Sequence, residues 1–210
     1  MLKPPNRSQG VQKPKLVLAS GSPYRLKLLQ ERGFEAEPVA SNIAEPDLQT
    51  FPDLESGLVS LAYLKGSAVS RSRPGELILA ADTISLVQGE ILGKPTDRND
   101  AERMLRQMSG IAHEVWTGWC LISTKGNFAV TGVEKTKLLF RTWTEEGLQT
   151  YLAGGEWEGK CGAYGLEWPH DPMVETLEGS VSNVIGLPME RIEAVLARFP
   201  GLKEDHFSGD

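Results

Sequence analysis

Ser20, Arg25, Glu45, Lys65, Asp82 and Lys94 stand where a folded core alone has little use for them. Ser20 opens the turn Ser20-Gly21-Ser22, between the apolar run LVLA (16–19) and a segment beginning at Pro23. Small residues running into a helix N-terminus present free N–H groups and the positive end of the helix dipole, which suits phosphate. Arg25, one turn in, adds a fork for a bidentate charge-assisted contact. The spacing is not that of a P-loop, since the terminal GK[ST] is missing. Taken alone, the stretch reads first as an ordinary capped helix with an exposed arginine.

Lys65 falls in the apolar stripe formed by Leu54, Leu58, Leu61, Ala68 and Val69. An ammonium there needs an ion-pair partner or an anionic ligand, because an unpaired buried charge is too costly. Asp82 follows the apolar run 77–81 and is expected to end a strand, where α/β folds gather ligands. Glu45, in NIAEPD, is a second isolated acid, and the two carboxylates are the oxygen donors Mg²⁺ prefers. Lys94 sits on the loop ILGKP. The glycine- and aromatic-rich WEGKCGAYGLEW (157–168) can bring a flat ring and backbone amides up to a ligand.

Other residues carry less. His113 and His170 lack metal-ligand spacing and read as structural, and Ser20, Ser22 and His113 make no defensible triad. Trp116, Trp119 and Trp143 read as core, and Glu190 to Glu193 as a solvated face.

The elements that must position these groups alternate. Strands are expected over 16–19, 34–40, 76–82, 114–123 and 128–141, with a hairpin turning at Gln88-Gly89. Helices are expected from Ser22-Pro23 to Gly33 and over 53–71, 97–108, 144–153 and 188–199. The class is α/β with an antiparallel middle portion.

The 210 residues, 40% hydrophobic, suffice for one core or two lobes sharing one. A net charge of -6 argues against a general nucleic-acid or anionic-membrane binder. Two cysteines without metal spacing suit a reducing compartment, and no apolar run approaches a membrane span. These features lead us to expect a cytoplasmic protein. Residues 1–14 read as a disordered tail, 15–202 as one domain and 203–210 as a flexible end.

In order, LASGSPYRLKLL, IAE, LKGSAV, AADT, ILGKP, AERMLRQMSGIAHEVWTG, GEWEGKCGAYG and EGSVSNVIGLP resemble the Maf family of nucleoside triphosphate pyrophosphatases. The resemblance implies a two-lobed, ITPase-like fold, with a mixed sheet flanked by helices around a central cleft. It implies hydrolysis between the α and β phosphorus atoms with a divalent cation, Mg²⁺ or alternatively Mn²⁺, as house-cleaning of the nucleotide pool. Ser20, Arg25, Lys65 and Lys94 match its phosphate-binding positions, Glu45 an acid of the cleft, and Asp82 its proton acceptor. The expected partner is a nucleoside triphosphate, not nucleic acid or membrane, and a homodimer is compatible with the sequence.

Three positions associated with base choice read Tyr24, Thr83 and Glu167. The dTTP/UTP branch has Arg, Thr and Gln there, and the 7-methyl-GTP branch has Trp, Gln and Glu. Thr83 follows the first branch, whereas Tyr24 and Glu167 resemble the second. An aromatic face suits a cationic methylated guanine, and a carboxylate accepts from its N1–H and N2–H. Ionised Glu cannot donate to a pyrimidine carbonyl as Gln can. These considerations favour a 7-methyl-GTP-like or broad specificity over dTTP/UTP. Cys161 is either a packing residue or an oxidation-sensitive cleft thiol. The alternative from another class is a catalytically silent nucleotide-binding regulator of cell division.

Overall fold

The computed structural model describes residues 13–166, 169 and 171–198. Seven strands form one mixed sheet of order β2-β1-β3-β5-β6-β7, with β4 paired to β3. The short strands β1 (Leu16–Leu18) and β2 (Ala36–Pro38) run parallel to each other, and β1 runs parallel to β3 (Leu77–Val87). From β3 onward the sheet is antiparallel: β4 (Glu90–Leu92), β5 (Ala112–Ser123), β6 (Phe128–Phe140) and β7 (Val174–Glu178).

Local chemistry sets most helix starts. Ser22 caps α1 (Pro23–Glu31), whose first residue is the expected proline. Asp53 accepts from Ser56 N at 2.8 Å to open α2 (Leu54–Ser72), and Asp97 accepts from Asp100 N at 2.8 Å to open α3 (Arg98–Met108). Thr144 caps α4 (Glu145–Gly154). Gln88 and Gly89, at φ 50° and 86°, make the tight hairpin turn between β3 and β4. Two elements were not foreseen: strand β7 and the short helix α5 (Val181–Ile185), which precedes α6 (Met189–Arg198).

The core divides into two lobes threaded by the long strands. In the first, Leu16, Leu18, Leu79, Leu121 and Ile192 pack on one face of the sheet. On its other face α2 lies over Val17, Ile78, Ala80 and Cys120. In the second lobe Leu105, Met108, Phe140, Leu148 and Tyr164 form a separate cluster beneath α3 and α4.

Asp82 does not end its strand. β3 continues to Val87 because β5 pairs with it throughout, Asp82 standing opposite Gly118. The strand's other edge is what opens at this point. β1 pairs with β3 only at Ile78 and Leu79, and β4 joins it only from Ser85. The intervening residues 80–84 have no strand neighbour on that side, and this gap between the lobes is the cleft.

The acidic segment of α6 is likewise not a freely solvated face. Glu190 accepts from Ser180 and Ser182 Oγ at 2.7 Å and from Arg32 at 2.9 Å. Glu193 pairs with Lys13 at 2.6 Å and with Arg32 at 3.4 Å. Burial works to raise the Glu190 pKa, but the two serine hydroxyls and Arg32 outweigh it and hold the group at about 2.

Candidate active site

A cleft of about 1100 Å³ lies along the open edge of β3. Ser20, Tyr24, Arg25, Glu45, Lys65, Asp82, Thr83 and Lys94 all line it. Glu167 lies outside the described residues.

Pleating divides the groups between two faces, since successive strand residues point to opposite sides. Asp82 shares the face of Ile78 and Ala80, under α2. There Lys65 Nζ lies 2.5 Å from Asp82 Oδ1 and 2.8 Å from Glu45 Oε2. The side chains of Lys65 and Asp82 are only 11% and 16% exposed, whereas that of Glu45 is half open to solvent. Lys65 therefore answers the question raised by its place in an apolar stripe: it bridges two carboxylates at the wall of a cleft. The two acids that share this ammonium are hard oxygen donors on one wall of the cleft, the donor type a divalent cation takes. Among the described residues no group of three or more His, Cys, Asp or Glu converges as a complete metal cage. Two carboxylates, with substrate phosphates and water completing the shell, match the way Mg²⁺ is ordinarily held.

Thr83 faces the other side, toward α1. Arg25 reaches it with NH2 to Thr83 Oγ1 at 2.9 Å, while NH1 donates to Ala81 O at 2.9 Å and Ser20 Oγ at 3.1 Å. Arg25 Nε donates to Gly186 O at 3.0 Å. Four of the five guanidinium N–H groups are thus engaged inside the protein. Burial lowers the Arg25 pKa and the nearby Asp82 charge opposes that shift. Thr83, accepting from Arg25, donates its hydroxyl hydrogen to Thr117 Oγ1 at 2.9 Å, and Thr117 donates to Asn183 O at 3.2 Å. The sequence motifs SPYR, ADT and SNVIG thereby form one hydrogen-bonded strut. Ser20 is drawn into the same network: besides Arg25, its Oγ accepts from Ser22 N at 3.2 Å.

Cys161 belongs to the second lobe. Its Sγ contacts Thr83 O at 3.2 Å and Leu92 O at 3.1 Å. Burial pushes its pKa up to about 11, so it is held as a protonated donor. That environment opposes the reading of Cys161 as an oxidation-prone thiolate. His113 is structural as expected, buried with Nε2 3.1 Å from Tyr164 Oη and its ring edge-on to Phe140. Trp119 is buried in the core, as expected; Trp116 is only half-buried, with Lys135 Nζ 3.7 Å from its ring centroid.

Three contributors escaped the sequence reading. Gly118 lets α2 rest directly on β5: a Cβ there would collide with the Leu58 backbone carbonyl. Gly186, which caps the C-terminus of the unanticipated helix α5, supplies a carbonyl to Arg25. Lys160 lines the cleft with Nζ 4.9 Å from the Tyr24 ring centroid. Its only trace in the sequence is a cation within the glycine-rich loop.

Comparison with known proteins gives the chain a family. The model of the Maf family, described as Maf-like protein, matches residues 15–199. A dTTP/UTP pyrophosphatase of Geotalea uraniireducens is 38% identical over 91% of this chain and 98% of its own length. Proteins of the same name from Rhodopirellula baltica and Pyrococcus furiosus are 41% and 38% identical, over 88% and 83% of this chain and 82% and 90% of theirs. The chain belongs to the Maf family, and these relatives are named nucleotide pyrophosphatases.

Proposed function

We propose that the protein hydrolyses dTTP and UTP to the nucleoside monophosphate and pyrophosphate. The observation that carries the reaction class is the Lys65 ammonium set between Asp82 and Glu45 on the wall of a deep cleft. Water attacks the α-phosphorus, the new P–O bond forms as the bond to the bridging α–β oxygen breaks, and pyrophosphate leaves. Asp82 orients the water and takes its proton, within reach of the cleft yet held in place by Lys65. Lys65, Lys94 and the N-terminal turn at Ser20 offset the polyphosphate charge, while Arg25 holds that turn against β3. Glu45 and Asp82 would hold a divalent cation, whose chemistry is to neutralise phosphate oxygens when bound.

The base assignment departs from the guanine preference drawn from Tyr24 and Glu167. The relatives at 38–41% identity are named for dTTP and UTP, and Thr83 agrees with them. Tyr24 does not offer an isolated electron-rich ring, because the Lys160 ammonium already lies over it. The catalytically silent regulator finds no support in a site that retains both acids and both lysines. A cytoplasmic location remains part of the proposal; among the described residues no helix is long and apolar enough to cross a membrane.

The test is pyrophosphate release from dTTP, UTP, CTP, GTP and 7-methyl-GTP with Mg²⁺ and, separately, Mn²⁺. The reading expects dTTP and UTP to turn over fastest, with monophosphate and pyrophosphate in equal amounts. Orthophosphate as the first product, or a clear preference for 7-methyl-GTP, would overturn it.

A further inference from the structure

Lys160 and Tyr24 meet across the cleft from different lobes. Tyr24 is in the first turn of α1 and 39% exposed, and Lys160 immediately precedes the 3₁₀ turn Cys161–Ala163. The lysine stem lies against bare backbone: a Cβ on Gly165 would come 2.5 Å from Nζ and 3.0 Å from Cε. The glycine thus leaves room for the ammonium to lie at the tyrosine ring, 4.9 Å from its centroid. Unlike Lys65, Lys160 has no carboxylate partner among the described residues.

We propose that Lys160 is a base-specificity residue, which favours neutral bases bearing a carbonyl oxygen and turns away cationic ones. The proposal rests on the pyrimidine reading above and extends it to a named side chain. The ring of Tyr24 is the flat apolar surface of this part of the cleft, suited to a base. A polyphosphate has Lys65 and Lys94 of the same cleft for its charge, which leaves the flat ring to the base. A base that reaches Tyr24 therefore meets the Lys160 ammonium. The O2 and O4 carbonyls of uracil and thymine can accept a charge-assisted hydrogen bond from it. A 7-methylated guanine brings a second positive charge to the same spot, where a partly desolvated cleft screens repulsion less than water does.

The test compares kcat/KM of wild type, Lys160→Met and Lys160→Arg on UTP, GTP and 7-methyl-GTP. Met keeps an apolar stem against Gly165 and removes only the charge. The UTP to 7-methyl-GTP ratio should fall about tenfold or more in the Met variant, as expected for one charged hydrogen bond lost and one repulsion relieved. Lys160→Arg should stay within about threefold of wild type, since it keeps the charge. An unchanged ratio, or an equal fall on all three nucleotides as for a phosphate contact, would overturn the proposal. GTP and 7-methyl-GTP differ in the charge of the base, so their ratio judges Lys160 whichever base the wild type prefers. Wild-type rates on UTP and dTTP alone judge the pyrimidine reading.

Discussion

Arg25 and Cys161, from opposite lobes, meet the backbone carbonyls on either side of Asp82: Arg25 donates to Ala81 O at 2.9 Å, and the Cys161 thiol lies 3.2 Å from Thr83 O and 3.1 Å from Leu92 O. The Ala81 and Thr83 carbonyls lie on the stretch of β3 where neither β1 nor β4 is paired. An open strand edge in a cleft would otherwise leave polar groups without protein partners. The gap leaves room for a substrate, and side chains rather than a neighbouring strand meet the carbonyls of Ala81 and Thr83. Asp82 is thereby fixed from both sides along the chain and from above by Lys65.

Arg25 consequently works as a strut joining the Ser20 turn, β3 and Gly186. Arg25→Lys replaces a planar fork by a single ammonium and leaves several acceptors without donors. We expect a loss of about 2 kcal/mol or more in stability, at roughly 1 kcal/mol for each hydrogen bond lost. Turnover should fall more than KM rises, because the residue positions Thr83 and the turn. Thermal unfolding and steady-state kinetics check both, and an intact melting temperature with only KM raised would instead mark a direct phosphate contact.

Gly118 stands opposite Asp82 in the β3–β5 register, and the first turns of α2 lie on it. Gly118→Ala forces a methyl group into the Leu58 backbone, which cannot turn aside as a side-chain tip can. The expected cost is about 1–3 kcal/mol or more, together with displacement of Lys65 from Asp82 and a large loss of activity. A variant as stable and active as wild type, by calorimetry and pyrophosphate release, would contradict this packing.

His113 makes the fold acid-sensitive. Burial lowers its pKa from 6.5 to about 4, so the folded state resists a proton that the unfolded chain accepts. Its contribution is complete above pH 6.5 and is lost as pH falls through that value toward 4. The change across that window is roughly 3 kcal/mol, from about 1.4 kcal/mol per pKa unit. His113→Phe should flatten the dependence of melting temperature on pH between 7 and 5. An unchanged slope would assign that dependence to other groups.

Much of the scaffold was legible because it is local. The apolar run of β1, the Ser22-Pro23 helix start, the Gln88-Gly89 turn and the helix starts at Asp53 and Asp97 each follow from a few neighbouring residues. The site residues were legible as misfits, Lys65 above all, whose place in an apolar stripe demanded the partners that Asp82 and Glu45 supply. What escaped depends on distant chain segments. The continuation of β3 past Asp82 is set by pairing with β5, and the engagement of Arg25 depends on Gly186, 161 residues away. The Lys160–Tyr24 contact likewise joins segments that only the folded lobes bring together.

The central claim is tested most directly by the products formed from dTTP with wild-type and Asp82→Asn protein. The amide keeps the size of the side chain and still offers an oxygen to Lys65, but it cannot accept a proton from water. Wild type should release dTMP and pyrophosphate in equal amounts, and the folded variant should be slower by about 10²–10⁴-fold. Pyrophosphate release by a folded Asp82→Asn protein at a near-wild-type rate would contradict the account.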